Sequence, residues 1–226
     1  MRPDQPLPGL LSPQALLGRV SDRLAARFTG VFAAETVHRH VDEAYRALAV
    51  TASVAAYLPA ITEKFAAEQL TAVAQARGLI PKERPEVLFV CDHNAGRSQL
   101  AAALLREHTG GRVGIRSAGS RPADSVDPNV REALREIGLD TADAFPKPLT
   151  DAVVQAADVV VTMGCGDACP VYPGKRYLDW NVSDPMGRPL DEVRAIRAAI
   201  EVRVVRLTAE LTRADSAEGE SGVRSQ

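Results

Sequence analysis

The stretch VLFVCDHNAGRSQLAAALLREH, residues 87–108, decides the fold. It begins with a continuous apolar run, VLFVC at residues 87–91, which is typical of a strand buried on both faces of a parallel sheet. The residues from Arg97 to His108 then have the pattern of a helix. A strand that passes through a short loop into a helix is the repeating unit of an α/β sheet.

The alternation of strands and helices continues downstream of this stretch. The sequence predicts a strand VGIRSAG around Val113, helices over 129–137 and 151–156, the strand DVVVTM ending at Met163, and a strand over 176–178. A last long helix has one apolar face, formed by Val193, Ile196, Ile200, Val204, Leu207 and Leu211. The fold class predicted is a doubly wound α/β parallel sheet, followed by a small, polar and disordered tail at 214–226.

Upstream of the sheet, the first 80 residues predict a small three-helix domain. Ser12 and Pro13 have the order of an N-cap and a first helical residue, and this helix should run to about Phe28. A second and a third helix follow by periodicity, the third ending near Gly78. Two prolines and three charges then predict a linker at 81–85, which separates the helical domain from a catalytic domain at 86–213.

Composition excludes several classes of protein. The 226 residues carry 27 basic and 29 acidic side chains, and residues 1–80 carry 8 basic and 7 acidic ones, so no basic surface for nucleic acid is expected. The sequence shows neither a secretory signal nor an apolar run of about 20 residues, so we expect a cytoplasmic protein with no membrane partner. Three cysteines, an odd number, indicate reactive thiols or a metal site rather than a disulfide framework.

The loop CDHNAGRS, residues 91–98, has the spacing C-x5-R-S between a strand and a helix. Such a loop can turn its backbone N–H groups inward around a tetrahedral oxyanion, and the helix N-terminus adds about half an elementary charge. We expect the oxyanion to be held by His93, Asn94, Ala95, Gly96 and Arg97. Arg97 would clamp two oxygens with its planar fork, and Ser98 would hydrogen-bond a Cys91 thiolate. A buried cysteine beside a helix-capping arginine is the alternative.

Asp184 precedes Pro185 in a loop after the last predicted strand. The carboxyl ends of parallel strands meet at one edge of the sheet, so Asp184 can lie near Cys91 and act as a general acid. An ordinary Asp-Pro turn is the alternative.

Residues 87–211 resemble the low-molecular-weight protein tyrosine phosphatase superfamily through VCDHNAGRSQ, Ser117-Ala118-Gly119, VVVTM and Asp184-Pro185. RSQLA after the loop and MGCGDACP at 163–170 resemble its arsenate reductase branch. The N-terminal helices resemble the extension of some actinobacterial members. This resemblance implies a phosphatase-like four-stranded parallel sheet with flanking helices, and reduction of arsenate to arsenite for arsenic detoxification.

The resemblance also implies a thiol relay. Cys91 attacks arsenate, Asp184 protonates the departing hydroxide, Cys165 attacks the Cys91 sulfur, and Cys169 resolves the disulfide. If 165–169 form a helical turn, the Cα atoms of Cys165 and Cys169 lie roughly 6 Å apart, within disulfide range. No bound cofactor is expected. Thioredoxin, or mycothiol with mycoredoxin, would be the external reductant, and phosphate or sulfate would compete as anions.

Three departures from the family pattern have consequences for the site. Asp92 puts a carboxylate beside the nest, where it opposes thiolate and oxyanion unless it points to solvent. Some relatives bind potassium beneath the loop; here Asn94 and Ser117 are present, but Ala102 stands where Glu is expected, and Lys147 could supply the missing charge. The C-x3-C spacing of Cys165 and Cys169 is short for thioredoxin-coupled members, which leaves mycothiol as an alternative reductant.

Other functions remain open at this point. Cys91, Arg97 and Asp184 would equally serve a phosphotyrosine phosphatase, and a non-enzymatic arsenite-sensing or interaction protein is a third hypothesis. Cys165 and Cys169 could also be inert thiols or zinc ligands, although no four-ligand set is visible and no metal site is expected. A homodimer through the N-terminal helices is also open.

Overall fold

The computed structural model describes residues 12–50, 57–165 and 169–223. The chain divides into two compact units between Pro81 and Lys82. Among the described residues, no helix is both long and apolar enough to cross a membrane.

Three helices form the described part of the first unit: α1 (Pro13–Arg27), α2 (Ala34–Ala49) and α3 (Leu58–Ala76). The Ser12 side chain accepts a hydrogen bond from the Ala15 amide at 3.1 Å, and Pro13 occupies the first turn, so α1 begins as its capping residues predict. The helices contribute apolar side chains at helical spacing to a common core, among them Val20, Leu24, Phe28, Val37, Val41, Leu48, Phe65 and Leu70. The predicted three-helix domain is confirmed.

The second unit alternates strands and helices, as predicted. Its elements are β1 (Glu86–Cys91), α4 (Arg97–Thr109), β2 (Gly114–Gly119), α5 (Pro128–Arg135), α6 (Asp151–Ala156), β3 (Val159–Met163), β4 (Arg176–Asp179) and α7 (Leu190–Val223). The strands form one parallel sheet in the order β2-β1-β3-β4. This confirms the predicted doubly wound, four-stranded parallel sheet with flanking helices.

β1 is completely buried because its neighbours cover both edges and helices cover its faces. Phe89 of β1 packs against Trp180, with ring centroids 5.7 Å apart, in a core shared by α4, α5 and α7. The strand order reverses at β1, which is the point where α/β sheets place their ligand sites. Cys91 pairs there with Gly119 of β2 and with Met163 of β3, so three strands end together.

The segment 214–226 was predicted to be a disordered tail, whereas α7 continues through its first part to Val223. Alanine and glutamate recur in this segment, and both have high helix propensity. Extending a helix that has already formed also costs less than starting one. The polar composition that favoured disorder therefore also permits an extended helix.

Candidate active site

Cys91 ends β1 with its sulfur beside the first turn of α4. Its side chain is buried, and Sγ lies 3.0 Å from the Ser98 hydroxyl oxygen. That oxygen also accepts a hydrogen bond from Asn94 Nδ2 at 2.7 Å. Because the amide of Asn94 supplies this hydrogen, the hydroxyl hydrogen of Ser98 is left to point at the sulfur.

Asn94 holds the loop between β1 and α4 in shape. It is fully buried and has a left-handed backbone with φ of 47°, which asparagine tolerates better than most residues. Its side-chain oxygen accepts hydrogen bonds from the Lys147 amide at 2.8 Å and from Gln99 Nε2 at 3.2 Å. The loop is therefore fixed from inside by hydrogen bonds, which is the preorganisation that an anion nest needs.

Two glycines allow other segments to close on this loop. A Cβ on Gly96 would lie 2.6 Å from Pro185 Cγ, so the absence of a side chain lets the segment that carries Asp184 approach. A Cβ on Gly119, at the end of β2, would lie 2.8 Å from the Asn94 amide nitrogen and the Asp92 carbonyl oxygen. Both contacts need glycine for space rather than for backbone conformation.

The Arg97 guanidinium is buried at the mouth of the loop, with only 6% of the residue exposed. Its Nη2 donates to Asp184 Oδ2 at 2.7 Å. Its Nε is buried and has no hydrogen-bond partner among the residues that the structure describes. A buried donor without a partner on a cationic fork is suited to an incoming anion, because leaving it unsatisfied is costly.

Asp184 lies at the rim of the site, where its carboxylate accepts two hydrogen bonds. Oδ2 accepts from Arg97, and Oδ1 accepts from the Met186 amide at 3.1 Å. The structure thus brings Asp184 next to the loop across 87 residues of sequence, as the sheet-edge argument predicts. A carboxyl group at this position can reach an oxygen that leaves the bound oxyanion.

Asp92 does not point freely to solvent. Its Oδ2 lies 3.7 Å from Arg97 Nη2, and its Oδ1 accepts from the Ser120 hydroxyl at 3.4 Å. The side chain is 24% exposed. Arg97 is therefore placed between two carboxylates, those of Asp92 and Asp184.

Cys165 follows β3 closely and lies near the end of β1, where the nucleophile is placed. It is buried, and its Sγ is 4.0 Å from the carbonyl oxygen of Val90, the residue before Cys91. Burial raises the pKa of the Cys165 thiol, and negative charge on Cys91 and on Asp92 raises it further. The second thiol therefore lies within electrostatic reach of the first.

Cys169 is also buried, 8% exposed, with its Sγ 3.9 Å from the Pro170 carbonyl oxygen. Burial raises the pKa of this thiol to about 11, and charge on Cys165 adds to the effect. All three cysteines are free thiols in this structure. The helical turn expected over 165–169 includes residues outside those described.

The remaining predicted residues lie in the loop or contact it. Ala95 is buried, and His93 has a buried Nδ1 with no hydrogen-bond partner among the described residues. Lys147 joins the loop through its backbone amide, while its ammonium lies 5.4 Å from the centre of the Phe145 ring. No cluster of three or more His, Cys, Asp or Glu within the described ranges could hold a metal ion.

Sequence reasoning missed two residues that shape the site, Gln99 and Gly164. Gln99 donates through Nε2 to the Asn94 carbonyl oxygen at 2.9 Å, and Gly164 lies against the Arg97 guanidinium. A glycine directly after a buried strand at the catalytic edge was a signal that could have identified Gly164. Gln99 gave no such signal, because a glutamine in the first turn of a helix is commonly exposed.

Comparison with known proteins adds two family matches. Residues 86–217 match the low molecular weight phosphotyrosine protein phosphatase family, and residues 17–74 match the protein-tyrosine-phosphatase-like N-terminal domain. Each match falls within one of the two compact units.

Relatives and solved structures agree with these matches. A thioredoxin-dependent arsenate reductase of Corynebacterium glutamicum is 46% identical with a TM-score of 0.81, over 88% of this chain and 98% of that one. A putative arsenate reductase of Halobacterium salinarum is 36% identical over 124 residues, 53% of this chain and 87% of that protein. An arginine phosphatase of Geobacillus stearothermophilus is 26% identical with a TM-score of 0.52, over 59% of this chain and 96% of that one.

Proposed function

Because this chain belongs to the low-molecular-weight phosphotyrosine protein phosphatase family, we propose that its loop binds a tetrahedral oxyanion and that the protein reduces arsenate to arsenite. The observation that carries the reductase function is the position of Cys165. Its sulfur is buried 4.0 Å from the carbonyl oxygen of Val90, the residue that precedes the nucleophile Cys91. Hydrolysis of a phosphate ester by Cys91 would need no second thiol at that place.

The similar proteins support this proposal. The Corynebacterium relative, which aligns with 88% of this chain, is named a thioredoxin-dependent arsenate reductase. The curated relatives of Halobacterium and Brevibacillus are also named arsenate reductases, the first as a putative one. The three-helix unit is part of the alignment with the Corynebacterium structure, since coverage of 88% exceeds the catalytic unit alone.

In the first chemical step, the Cys91 sulfur attacks arsenic in an arsenate held by the loop amides and Arg97. A sulfur–arsenic bond forms, an arsenic–oxygen bond breaks, and Asp184 gives its proton to the departing hydroxide, which leaves as water. The Asp184 carboxylate accepts a hydrogen bond from Arg97 Nη2 at 2.7 Å, so it lies beside the fork that holds the oxyanion.

In the second step, the Cys165 thiolate attacks the Cys91 sulfur. A Cys91–Cys165 disulfide forms, the sulfur–arsenic bond breaks, and its electron pair stays on arsenic, which leaves as arsenite. Cys169 then attacks Cys165, releases Cys91 as a thiolate and forms the Cys165–Cys169 disulfide. Two electrons have then passed from the cysteine pair to arsenic.

An external reductant must return the cysteine pair to the thiol state. The name of the Corynebacterium relative supports a thioredoxin-type protein for this step. Mycothiol with mycoredoxin stays a prediction, as do the cytoplasmic location and a homodimer through the N-terminal helices.

The test is an arsenate-dependent NADPH-consumption assay with thioredoxin and thioredoxin reductase, run beside hydrolysis of p-nitrophenyl phosphate. We expect NADPH consumption at a rate well above that of aryl phosphate hydrolysis. Fast hydrolysis without arsenate-dependent consumption would instead identify a phosphatase, the second function that Cys91, Arg97 and Asp184 could serve. Neither activity, with arsenite binding retained, would support the non-enzymatic hypothesis.

A further inference from the structure

Gly164 lies between the end of β3 and Cys165, and its backbone is left-handed with φ of 74°. Glycine adopts this conformation without the steric cost that a Cβ imposes. Gly174 has nearly the same conformation, with φ of 75°. At both positions, the left-handed backbone conformation by itself favours glycine.

The space beside these two glycines differs. A Cβ on Gly174 would meet no atom within 4 Å. A Cβ on Gly164 would come within 3.0 Å of Arg97 Nη1 and would lie 3.4 Å from Arg97 Cζ. The guanidinium thus fills the volume that a side chain at position 164 would need.

The other two nitrogens of Arg97, Nη2 and Nε, show why the orientation of its guanidinium beside Gly164 affects anion binding. Nη2 donates to Asp184 at 2.7 Å, and the buried Nε has no hydrogen-bond partner among the described residues. A planar fork grips two oxygens only when its plane is held in one orientation. Contact between Nη1 and Gly164, together with the hydrogen bond that Nη2 donates to Asp184, restrains that plane.

We propose that Gly164 is a positioning residue, and that its missing side chain provides the slot that orients the Arg97 guanidinium toward the anion-binding loop. The inference rests on the proposed role of Arg97 in binding the oxyanion. Gly164 is bonded directly to Cys165, so the slot also links the position of the oxyanion clamp to that of the second thiol. A change of Gly164 to alanine displaces the flexible end of Arg97, while the rest of the fold stays intact.

The test compares Gly164→Ala with Gly174→Ala in the full chain. Both variants place alanine at the same left-handed conformation, so both should unfold at similarly lowered temperatures. Binding of inorganic phosphate, measured by titration calorimetry, should weaken roughly tenfold or more in Gly164→Ala, because charge-assisted hydrogen bonds from Arg97 are lost. In Gly174→Ala the affinity for phosphate should change less than about twofold.

A double-mutant cycle with Arg97→Lys separates positioning from a general structural effect. In the wild-type background, Arg97→Lys should weaken phosphate binding strongly. In the Gly164→Ala background the same change should add little, because the fork is already misplaced. Tight phosphate binding by Gly164→Ala, or fully additive losses, would overturn the proposal.

The result of the phosphate-binding test on Gly164→Ala does not depend on whether the protein is a reductase. Phosphate binding and aryl phosphate hydrolysis need Arg97 but no second thiol, so a wild-type chain that binds phosphate but leaves arsenate unreduced would refute only the reductase function. A wild-type chain that binds no phosphate would refute the oxyanion site and this role of Gly164 together.

Discussion

At the scale of single residues, Asp92 is the departure from the family pattern with the most direct chemical consequence. Its carboxylate lies 3.7 Å from Arg97 Nη2, so it competes with an oxyanion for the same cation. We expect Asp92→Asn to bind phosphate and arsenate more tightly, by roughly fivefold or about 1 kcal/mol, because a like charge near the nest is removed. Calorimetry with phosphate and the KM for arsenate measure the effect.

The matched control for Asp92→Asn is Asp124→Asn, at an exposed position in the loop after β2. It removes one charge from the same region and should leave binding unchanged. Weaker binding by Asp92→Asn would show that the carboxylate orients Arg97 productively instead of competing with the anion.

The raised pKa of the Cys165 thiol predicts a pH dependence for the second step. Burial, with the charge of Asp92, keeps this thiol protonated near neutral pH when Cys91 is bonded to arsenic, and only the thiolate attacks. The single-turnover rate of disulfide formation should therefore rise with pH, by roughly tenfold per unit below the raised pKa. Hydrolysis of p-nitrophenyl phosphate should not follow this rise. A disulfide rate that falls from pH 7 to pH 9 would contradict an attack by the Cys165 thiolate.

The residues of the nest and the approach of Asp184 could be predicted from sequence, but the hydrogen bond between Arg97 and Asp184 could not. C-x5-R-S between a strand and a helix identified Cys91, Arg97 and Ser98, because spacing along the chain fixes their geometry. The hydrogen bond from Arg97 to Asp184 joins residues 87 positions apart and depends on how the loop at 184–187 folds. Its existence follows from packing, which local patterns do not encode.

At the scale of elements, the end of β2 supports the loop that follows β1. A Cβ on Gly119 would meet backbone atoms of Asn94 and Asp92 at 2.8 Å, and neither is a flexible side chain that can move away. We expect Gly119→Ala to lower the free energy of unfolding by about 1–3 kcal/mol and to reduce phosphate binding. Urea denaturation and calorimetry would measure both.

Gly18→Ala provides the comparison for Gly119→Ala. Gly18 lies inside α1 with nothing within 4 Å of a Cβ, so alanine there should stabilise the helix by about 0.5–1 kcal/mol. Equal stability of Gly119→Ala and the wild type would mean that the end of β2 does not pack tightly against the loop.

Strong and weak local signals explain which elements could be predicted. VLFVC and VVVTM are continuous apolar runs, and both form buried parallel strands. β4 is partly exposed, and its position at the sheet edge follows only from the topology. α7 extends into residues 214–223, whose small and polar composition predicted a tail.

At the scale of the whole molecule, the two compact units have separate cores and separate family matches. All the residues of the candidate site lie after Lys82. We expect a truncated chain of residues 82–226 to fold and to retain hydrolysis of p-nitrophenyl phosphate within about threefold, because units with their own core generally fold alone. Circular dichroism and the hydrolysis assay test this expectation. A folded but inactive truncation would show that the helical unit completes the site or an obligatory dimer.

The central claim is that the cysteines act in the order Cys91, Cys165, Cys169, so that two electrons pass from the Cys165 and Cys169 pair to arsenic. Peptide mass mapping of Cys169→Ser after exposure to arsenate tests it most directly, since this variant can form the first disulfide but cannot resolve it. We predict one arsenite per enzyme and a trapped Cys91–Cys165 disulfide, which Cys165→Ser should not form. Continued arsenate turnover by Cys165→Ser with thioredoxin, or arsenite release by Cys169→Ser without that disulfide, would contradict the relay.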